Sequence, residues 1–193
     1  FTYFFPAVDQ ELSNGNELLE RFIMLAMTNT DKRINNDQRV TPAFLFAAML
    51  WYPLQKTIQQ INAVNQLAPQ DAFFAALSEI MPEQQRSIAI PKRFQSMMKD
   101  IWILQEKLAR REGKKAFKTF EHPKFRAGYD FLLLRAEVET EDTHLADLAK
   151  WWTDFQEVSN EARLQMIKGV KSPSNSKRRT PRKRRKPTTP KAE

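Results

Sequence analysis

A nearly uninterrupted apolar run over residues 43–51 restricts the possible fold of this chain more than any other feature. Thr41 is a suitable N-cap for a helix, and Pro42 suits its first position, where the missing N–H costs nothing. Pro53 is expected to end the helix, because proline cannot donate to the carbonyl group one turn earlier. A helix that is apolar on nearly every side must be buried. The run therefore predicts a central helix over residues 41–52 of an all-helical domain.

Helical periodicity continues through most of the remaining sequence. Apolar residues recur every three to four positions in several segments up to residue 155, and no segment alternates with period two for long enough to indicate a strand. The expected fold class is all-α, an irregular multi-helix bundle of about seven to nine helices. Residues 9–16 have a turn-like composition. Pro82 is expected to end or kink one helix, and Gly113 to end the long helix that begins at Pro91.

The composition excludes several kinds of site. With 193 residues and 41% apolar content, the chain can bury a sizeable core. It contains no cysteine, so disulfides and thiolate metal sites are excluded. The two histidines, His122 and His144, do not suffice for a zinc site, and no metal site is predicted. The absence of a signal peptide and of a bilayer-length apolar run predicts a cytoplasmic protein without a membrane partner.

Positive charge is concentrated in two regions. The net charge of the chain is +8, yet residues 168–193 alone carry eleven Lys and Arg against one Glu, and residues 86–126 carry twelve basic residues against four acidic ones. Such segregation favours a polyanion as the partner. After Val170 the tail has no large apolar residue. It cannot offset the entropy cost of ordering, so it is expected to be disordered alone.

Both basic regions supply candidate contacts to a polyanion. In the first, four basic residues at spacings of three and four would share one side of a helix, and two more would extend the patch beyond Gly113. In the second, two basic clusters lie in a flexible arm. The alternatives are an ordinary solvated face for the first region, and a solubilising tail or an anionic membrane contact for the second. The candidates are Lys107, Arg110, Arg111, Lys114, Lys115 and Lys118, and in the tail Lys177, Arg178, Arg179, Arg182, Lys183, Arg184, Arg185 and Lys186.

Four blocks between residues 29 and 155 also carry a recognisable pattern. The first is R-I-N-N-D at residues 33–37 with R-V at 39–40, P-A-F-L-F-A-A at 42–48 and W-Y-P-L at 51–54. The others are S-I-A-I-P-K-R at 87–93, E-H-P-K-F-R-A at 121–127, and L-R-A-E-V-E at 134–139 with K-W-W at 150–152. In this order they resemble the C-terminal half of the bacterial poly(A) polymerase I family. That family belongs to the nucleotidyltransferase superfamily, which also contains the CCA-adding enzymes.

The resemblance implies the C-terminal RNA-binding portion of an enzyme that adds AMP from ATP to RNA 3′ ends without a template, promoting mRNA polyadenylation and decay. Mg²⁺ and ATP would be bound upstream of this chain. The implied partners are single-stranded RNA 3′ ends, contacted without sequence preference, and the upstream catalytic domains. Because the chain begins with Phe1 and not Met, we expect it to be a fragment of a longer protein.

On this interpretation, residues 1–30 would end a preceding helical RNA-binding region, residues 31–167 would form the helical body, and residues 168–193 the tail. The alternative is a free-standing helical RNA-binding or scaffold protein with no catalytic activity. Addition of CCA, in place of AMP, is equally compatible with these residues.

No catalytic residue is predicted within this chain. The superfamily holds its metal ions on an Asp-x-Asp pair behind a Gly-Ser turn, and neither occurs here. The nearest analogue, E-x-E-x-E-D at residues 137–142, falls at a helix end where alternate side chains point apart, so a solvated acidic end is expected. His122 precedes Pro123 and is expected to begin a helix, not to act as a base. Enzyme status is therefore uncertain and depends on the resemblance alone.

Two further groups have both a structural and a binding interpretation. The polar run at residues 35–39 is expected to cap and turn the chain ahead of the central helix, the alternative being that Arg33 or Arg39 contacts RNA or a missing domain. Five aromatic residues could stack on bases, but their apolar stripes favour core packing. They are Trp51, Trp151, Trp152, Phe73 and Phe74.

Overall fold

The computed structural model describes residues 3–170, and these residues form nine α-helices without a strand. The helices are α1 (Pro6–Ser13), α2 (Glu17–Asn35), α3 (Pro42–Asn65), α4 (Pro69–Ser87), α5 (Lys92–Ala109), α6 (Lys114–Phe120), α7 (Phe125–Val138), α8 (Thr143–Glu157) and α9 (Asn160–Gly169). The predicted all-α class is therefore confirmed. Within residues 3–170, none of the helices combines the length and the apolar character that a membrane span requires.

Helix α3 lies at the centre of the bundle. Ala43, Ala47 and Leu50 in its first half have no exposed surface, and α1, α2, α4 and α5 all pack against it. Phe131 of α7 completes this core. Its ring lies edge-to-face against Phe22 of α2 and Trp51 of α3, with 5.4 Å between ring centroids in each pair. The apolar run thus forms the buried centre that the sequence predicts.

Pro53 does not end this helix, and that prediction is wrong. Helix α3 continues through Pro53 to Asn65. A proline inside a helix removes one backbone hydrogen bond and costs about 3 kcal/mol. Leu54 is fully buried, and Ile58 and Ile61 pack against the same core. The apolar area that the second half of the helix buries offsets the cost of the proline.

Four other boundaries differ from the sequence-based expectations. Helix α1 occupies most of a segment that was expected to be a turn. Pro82 lies inside α4, so of the two outcomes expected there, an end or a kink of the helix, the end does not occur. Helix α5 ends at Ala109, before the stop expected at Gly113. Beyond the last expected helix, α9 begins at an N-cap in which the Ser159 hydroxyl accepts a hydrogen bond from the Ala162 N–H.

A second core forms where α6, α7, α8 and the end of α5 meet. Trp152 and Phe155 of α8 have no exposed surface. The ring centroid of Trp152 lies 5.3 Å from that of Phe125, and the centroid of Phe155 lies 5.5 Å from that of Phe120. Residues of α5 and α7 contribute to both cores. These two helices therefore connect the α3 core to the second core.

The crossing of α5 and α7 depends on Gly128. A Cβ atom at this position would lie 2.8 Å from both the Cβ and the Cδ1 of Leu104, which is closer than packed carbon atoms approach. In the same contact, Gln105 Nε2 donates a hydrogen bond to the Gly128 carbonyl oxygen at 3.0 Å. The close approach of the two helix backbones therefore requires glycine here.

A polar network of low exposure joins α3 to α7. Arg135 donates two hydrogen bonds of 3.0 Å to Glu139, and its guanidinium carbon lies 4.8 Å from the centre of the Trp51 ring. The Tyr52 hydroxyl donates to Glu139 at 3.2 Å. Burial, and then the charge of Glu139, raise the pKa of Tyr52. Because the Glu139 side chain is only 18% exposed, the expectation of a solvated acidic end is wrong for this residue.

A nearly buried carboxylate holds α1 to the bundle. Glu11 is 8% exposed and is ion-paired with Lys56 of α3, and the Asn16 side chain donates to the same carboxylate at 3.1 Å. Burial acts to raise the pKa of Glu11. The hydrogen bonds from Lys56 and Asn16 outweigh it and hold the pKa below the usual value of 4.5. The charged form of Glu11 is therefore the one that stabilises the fold.

Gly128→Ala should lower the free energy of unfolding by about 1–3 kcal/mol, because the added methyl group overpacks the contact with Leu104. Gly169→Ala is the matched control, since that glycine is also helical and nothing lies within 4 Å of its Cβ position. The control should be as stable as the wild type or slightly more stable. Denaturant unfolding followed by circular dichroism measures both, and equal stability of the two variants would contradict the close approach.

Glu11→Gln should lower the free energy of unfolding at neutral pH by about 1–3 kcal/mol, because the charge-assisted hydrogen bond with Lys56 is lost. The pKa of Glu11 is lower in the folded state than in the unfolded state. The wild-type advantage should therefore be complete above pH 4.5 and decline as the pH falls through the folded-state pKa. Unfolding measured from about pH 3 to pH 7 tests this. A difference that does not change with pH would exclude a contribution from the charge.

Candidate nucleic-acid interface

The predicted basic patch lies on two helices and the loop between them. Helix α5 ends at Ala109, and α6 begins at Lys114. Between them Gly113 has φ +58° and ψ −136°, a conformation that glycine permits and a side chain opposes. The prediction that Lys107 shares one helix face with the next three basic residues is wrong, because the helix stops before all three.

The second core fixes the end of α5. The Trp152 indole N–H donates to the Leu108 carbonyl oxygen at 3.0 Å, and the Arg110 N–H donates to the Lys107 carbonyl oxygen at 3.0 Å. The last carbonyl groups of a helix have no hydrogen-bond donor within the helix. These two hydrogen bonds supply donors to the Leu108 and Lys107 carbonyl oxygens at the end of α5. The basic loop therefore starts from a fixed point on the bundle.

Arg111 is half-buried and packs against the second core. Its guanidinium carbon lies 5.3 Å from the centre of the Trp151 ring. Burial lowers the pKa of this guanidinium, and the charge of Asp147 acts in the opposite direction. The Nε atom is buried and has no hydrogen-bond partner among residues 3–170. Arg111 therefore attaches the loop to α8, and only part of its surface is open to a partner.

Two of the other candidates are exposed but already have a counter-charge. Arg110 is ion-paired with Glu106. The Nζ atom of Lys115 lies 2.5 Å from Oε1 of Glu112. The hydrogen bond that Lys115 donates lowers the pKa of the Glu112 carboxyl group. Ion pairs of exposed side chains are weak and are screened by salt. Both cations can therefore exchange their carboxylate for a phosphate.

Three lysines of the segment have no such partner. Lys107, Lys114 and Lys118 are exposed and form no ion pair with any residue from 3 to 170. An exposed ammonium group without a counter-charge keeps its full attraction for an anion. These lysines are therefore the part of the segment best suited to a polyanion. The eight tail candidates from Lys177 to Lys186, and the expected disorder of the tail, lie outside the described residues.

Most of the aromatic candidates are core residues. Trp51 and Trp152 are buried, which confirms core packing for both. Trp151 and Phe73 are half-buried. Phe74 is 42% exposed, and it is the most exposed of the five aromatic candidates.

Between residues 3 and 170, the acidic residues and histidines are not grouped as metal ligands. No group of three or more His, Asp and Glu side chains within the described part of the chain is arranged to hold a metal ion. These residues therefore do not fit a Mg²⁺ site. His122 lies in the turn before α7, where its Nδ1 accepts a hydrogen bond from the Lys124 N–H at 3.1 Å. The residue thus has the helix-start position that the sequence predicts.

For a second group of cations, sequence reasoning named Arg33 or Arg39 only as an alternative contact to RNA or a missing domain, and it selected neither Lys124 nor Arg126. Arg33 and Arg39 from the first block line a groove together with Lys124 and Arg126 from the third block. The Arg33–Asp130 hydrogen bond in this groove joins positions 97 residues apart, so neither periodicity nor local charge indicates that the segments meet. The available signal was that both arginine-containing blocks belong to the family resemblance.

Comparison with known proteins supports that resemblance. The family model described as "Polymerase A arginine-rich C-terminus" matches residues 65–186. Poly(A) polymerase I of Escherichia coli O6:H1 is 46% identical over 187 residues, which cover 95% of this chain and 40% of that protein. The Salmonella typhi protein of the same name is 49% identical over 157 residues (81% of this chain, 34% of that protein). The Haemophilus influenzae one is 40% identical over 168 residues (86% and 37%).

The chain spans about two fifths of the length of these curated relatives. The family model begins at the last residue of α3, Asn65, and covers all later helices and most of the basic tail. The four blocks that suggested the family lie within the helical bundle, and each contributes residues to its core or its surface groove. The chain belongs to the family of the arginine-rich C-terminus of polymerase A.

Proposed function

We propose that this chain is the RNA-binding C-terminal portion of a poly(A) polymerase, an enzyme that transfers AMP from ATP to RNA 3′ ends without a template. Its relatives carry the name poly(A) polymerase I. Because the described residues do not fit a Mg²⁺ site, Mg²⁺ and ATP would be held by other parts of such an enzyme. In the cell, the whole enzyme would promote polyadenylation and decay of mRNA.

The observation that carries this proposal is an excess of positive charge in two regions of the sequence. Residues 86–126 have a net charge of +8 and residues 168–193 a net charge of +10. Cations that contact phosphates release condensed counterions from RNA, which drives binding. Contacts to phosphate carry no sequence information. This lack of sequence preference suits an enzyme that accepts many different 3′ ends.

The proposal includes a packing surface for the catalytic domains. Large apolar side chains are exposed near the N-terminal end of the described chain, where Tyr3 is 87% and Phe4 59% exposed. Leu18 and Met27 of α2 are exposed as well. Exposed apolar side chains of this size are a feature of surfaces that contact another protein. The proposal keeps the division into residues 1–30, 31–167 and 168–193, with the first segment closest to the catalytic domains.

The reading frame upstream of Phe1 distinguishes this proposal from a free-standing RNA-binding or scaffold protein. A polymerase requires an upstream strand, a Gly-Ser turn and an Asp-x-Asp pair to hold its metal ions. Their presence is the expected result, and a stop codon directly upstream would favour the free-standing protein.

Deleting residues 174–193 should weaken binding of a single-stranded oligoadenylate of about 20 nucleotides and flatten its salt dependence. The deleted segment carries nine basic residues against one acidic one. Each lost phosphate contact reduces the steepness of the plot of log K against log salt by about 0.7. Fluorescence anisotropy at several salt concentrations measures both effects. An unchanged slope would remove the tail from the proposal. Failure of the intact chain to bind at low salt would overturn RNA binding altogether.

Lys114→Gln/Lys118→Gln should make the plot of log K for RNA binding against log salt less steep by about 1.4, which corresponds to two phosphate contacts. Arg21→Gln/Lys150→Gln is the charge-matched control, because both residues are exposed and lie outside residues 86–126, on α2 and α8. The control should leave the slope within about 0.5 of the wild-type value. Equal slopes for the two double variants would show that the α5–α6 region attracts RNA only through the total charge of the protein.

A further inference from the structure

A groove of about 530 Å³ lies between α2, α7 and the loop that precedes α3. Its floor is apolar and includes Phe44 of α3, Met97 and Ile101 of α5, and Leu134 of α7. Ile101 and Leu134 are buried members of the α3 core, and Phe44 and Met97 pack against it, so the floor is continuous with that core. Its volume is within the range of sites that enclose a small ligand, about 300–1,000 Å³.

Basic side chains surround this apolar floor. Five cations line the groove against two carboxylates, those of Asp130 and Glu137, which leaves a net charge of +3. Two of the five cations share Asp130, and the other three form no ion pair within residues 3–170. The five are Lys32, Arg33, Arg39, Lys124 and Arg126.

The two paired arginines still leave positive charge in the groove. Arg126 Nε lies 2.9 Å from Asp130 Oδ1, and Arg33 Nη1 lies 3.4 Å from Asp130 Oδ2. Burial raises the pKa of Asp130, and the two arginines act in the opposite direction. A single carboxylate balances only one of the two guanidinium charges. The groove therefore remains attractive to an anion even where it contains an acidic side chain.

The loops that carry the unpaired cations are held by local hydrogen bonds. The Gln38 N–H donates to the Arg33 carbonyl oxygen at 2.8 Å, and Asp37 adopts φ +54°, a left-handed conformation that aspartate tolerates better than most residues. These features set the position of Arg39. The hydrogen bond from the Lys124 N–H to His122 does the same for Lys124. Such preorganisation reduces the entropy cost of binding.

An apolar floor beneath unpaired cations selects a ligand that is flat and apolar at one end and anionic at the other. A nucleotide has both properties, since its base can pack on aromatic and apolar side chains and its phosphate accepts hydrogen bonds from arginine and lysine. An inorganic anion would leave the floor uncovered. A peptide made only of acidic residues would satisfy the rim but has no flat apolar group to place on Phe44. The nucleotide therefore fits the groove best.

We propose that this groove binds one nucleotide unit of single-stranded RNA, with the base against Phe44 and Met97 and the phosphate on Arg39 and Lys124. The inference rests on the proposed function, because RNA is the polyanion that it supplies. It adds a contact of a different kind from the α5–α6 region. That region offers cations to phosphates only, whereas the groove also encloses a base.

The test uses the whole 193-residue chain with ¹³C-methyl-labelled methionine and a 5′-phosphorylated triadenylate as the probe. Met97 lines the groove, whereas Met24 is 64% exposed on α2 and does not line it. Titration should shift the Met97 methyl resonance, because the ring current of an adjacent base acts over short distances, and should leave Met24 unchanged. Met97→Leu assigns the resonance. This local readout does not depend on how strongly the tail binds RNA.

Arg39→Gln/Lys124→Gln should weaken triadenylate binding, measured at Met97, by about tenfold, because two phosphate contacts are lost. The control Arg21→Gln/Lys150→Gln removes the same two residue types outside the groove and outside residues 86–126, and it should bind within about twofold of the wild type. Asp130→Asn should tighten binding, since it removes the carboxylate that competes with phosphate for Arg33 and Arg126. Unchanged methionine spectra without the probe confirm that the variants fold.

The possible outcomes separate this inference from the proposed function. If the intact chain does not bind an oligoadenylate of about 20 nucleotides at low salt, the proposed function fails and the groove inference with it. If the longer RNA binds but Met97 does not respond to triadenylate, or if the groove and control variants bind equally, only the groove inference is overturned. A Met97 shift with hexaglutamate and none with triadenylate would assign the groove to an acidic protein segment and also overturn it.

Discussion

Enclosure of the first half of α3 is the constraint on which the rest of the structure depends. This half-helix presents apolar side chains in all directions, so one neighbouring helix cannot shield it from water. Helices α1, α2, α4, α5 and α7 each turn an apolar face towards it. Because a surrounding helix has only one face inside, its polar and charged residues are placed on the outside of the bundle. The distribution of surface charge thus follows from the burial of one segment.

The connection between the two cores determines where the basic residues lie. Helices α5 and α7 cross at Gly128 and extend beyond α3, and their far ends form the second core with α6 and α8. Trp152 binds the end of α5 through the Leu108 carbonyl group, so the basic loop leaves the bundle at a defined place. The groove lies at the α3 core, between α2 and α7. One pair of helices therefore positions both cationic regions of the described chain.

The two cationic regions have different physical characters. Around α6 the lysines stand on an open surface, where their attraction for an anion is screened by salt and independent of base identity. In the groove, cations surround an apolar floor, where a ligand would lose water and contact packed side chains. The first arrangement suits loose, sequence-independent holding of a polyanion. The second arrangement is suited to holding one nucleotide unit of the polyanion in a defined position.

Local sequence properties were sufficient for the fold class and for the location of charge, and insufficient where distant segments meet. The period of apolar residues identified most of the helices, though not α1 or α9, because it depends only on neighbours within a few turns. At Pro53 local reasoning failed, since burial of Leu54 and the residues after it outweighs the broken backbone hydrogen bond. For Arg111 and Glu139 the sequence showed a charge but not the ring or cation packed against it.

The sequence by itself thus determined which segments must be buried, that they are helical, and which residues carry the charge. Only the tertiary structure decided which charges neutralise one another and which remain open to a ligand. The pairing of Arg33 with Asp130, 97 residues away, shows the reason. Electrostatic balance depends on distances between atoms in space, and those distances follow from how the apolar faces pack.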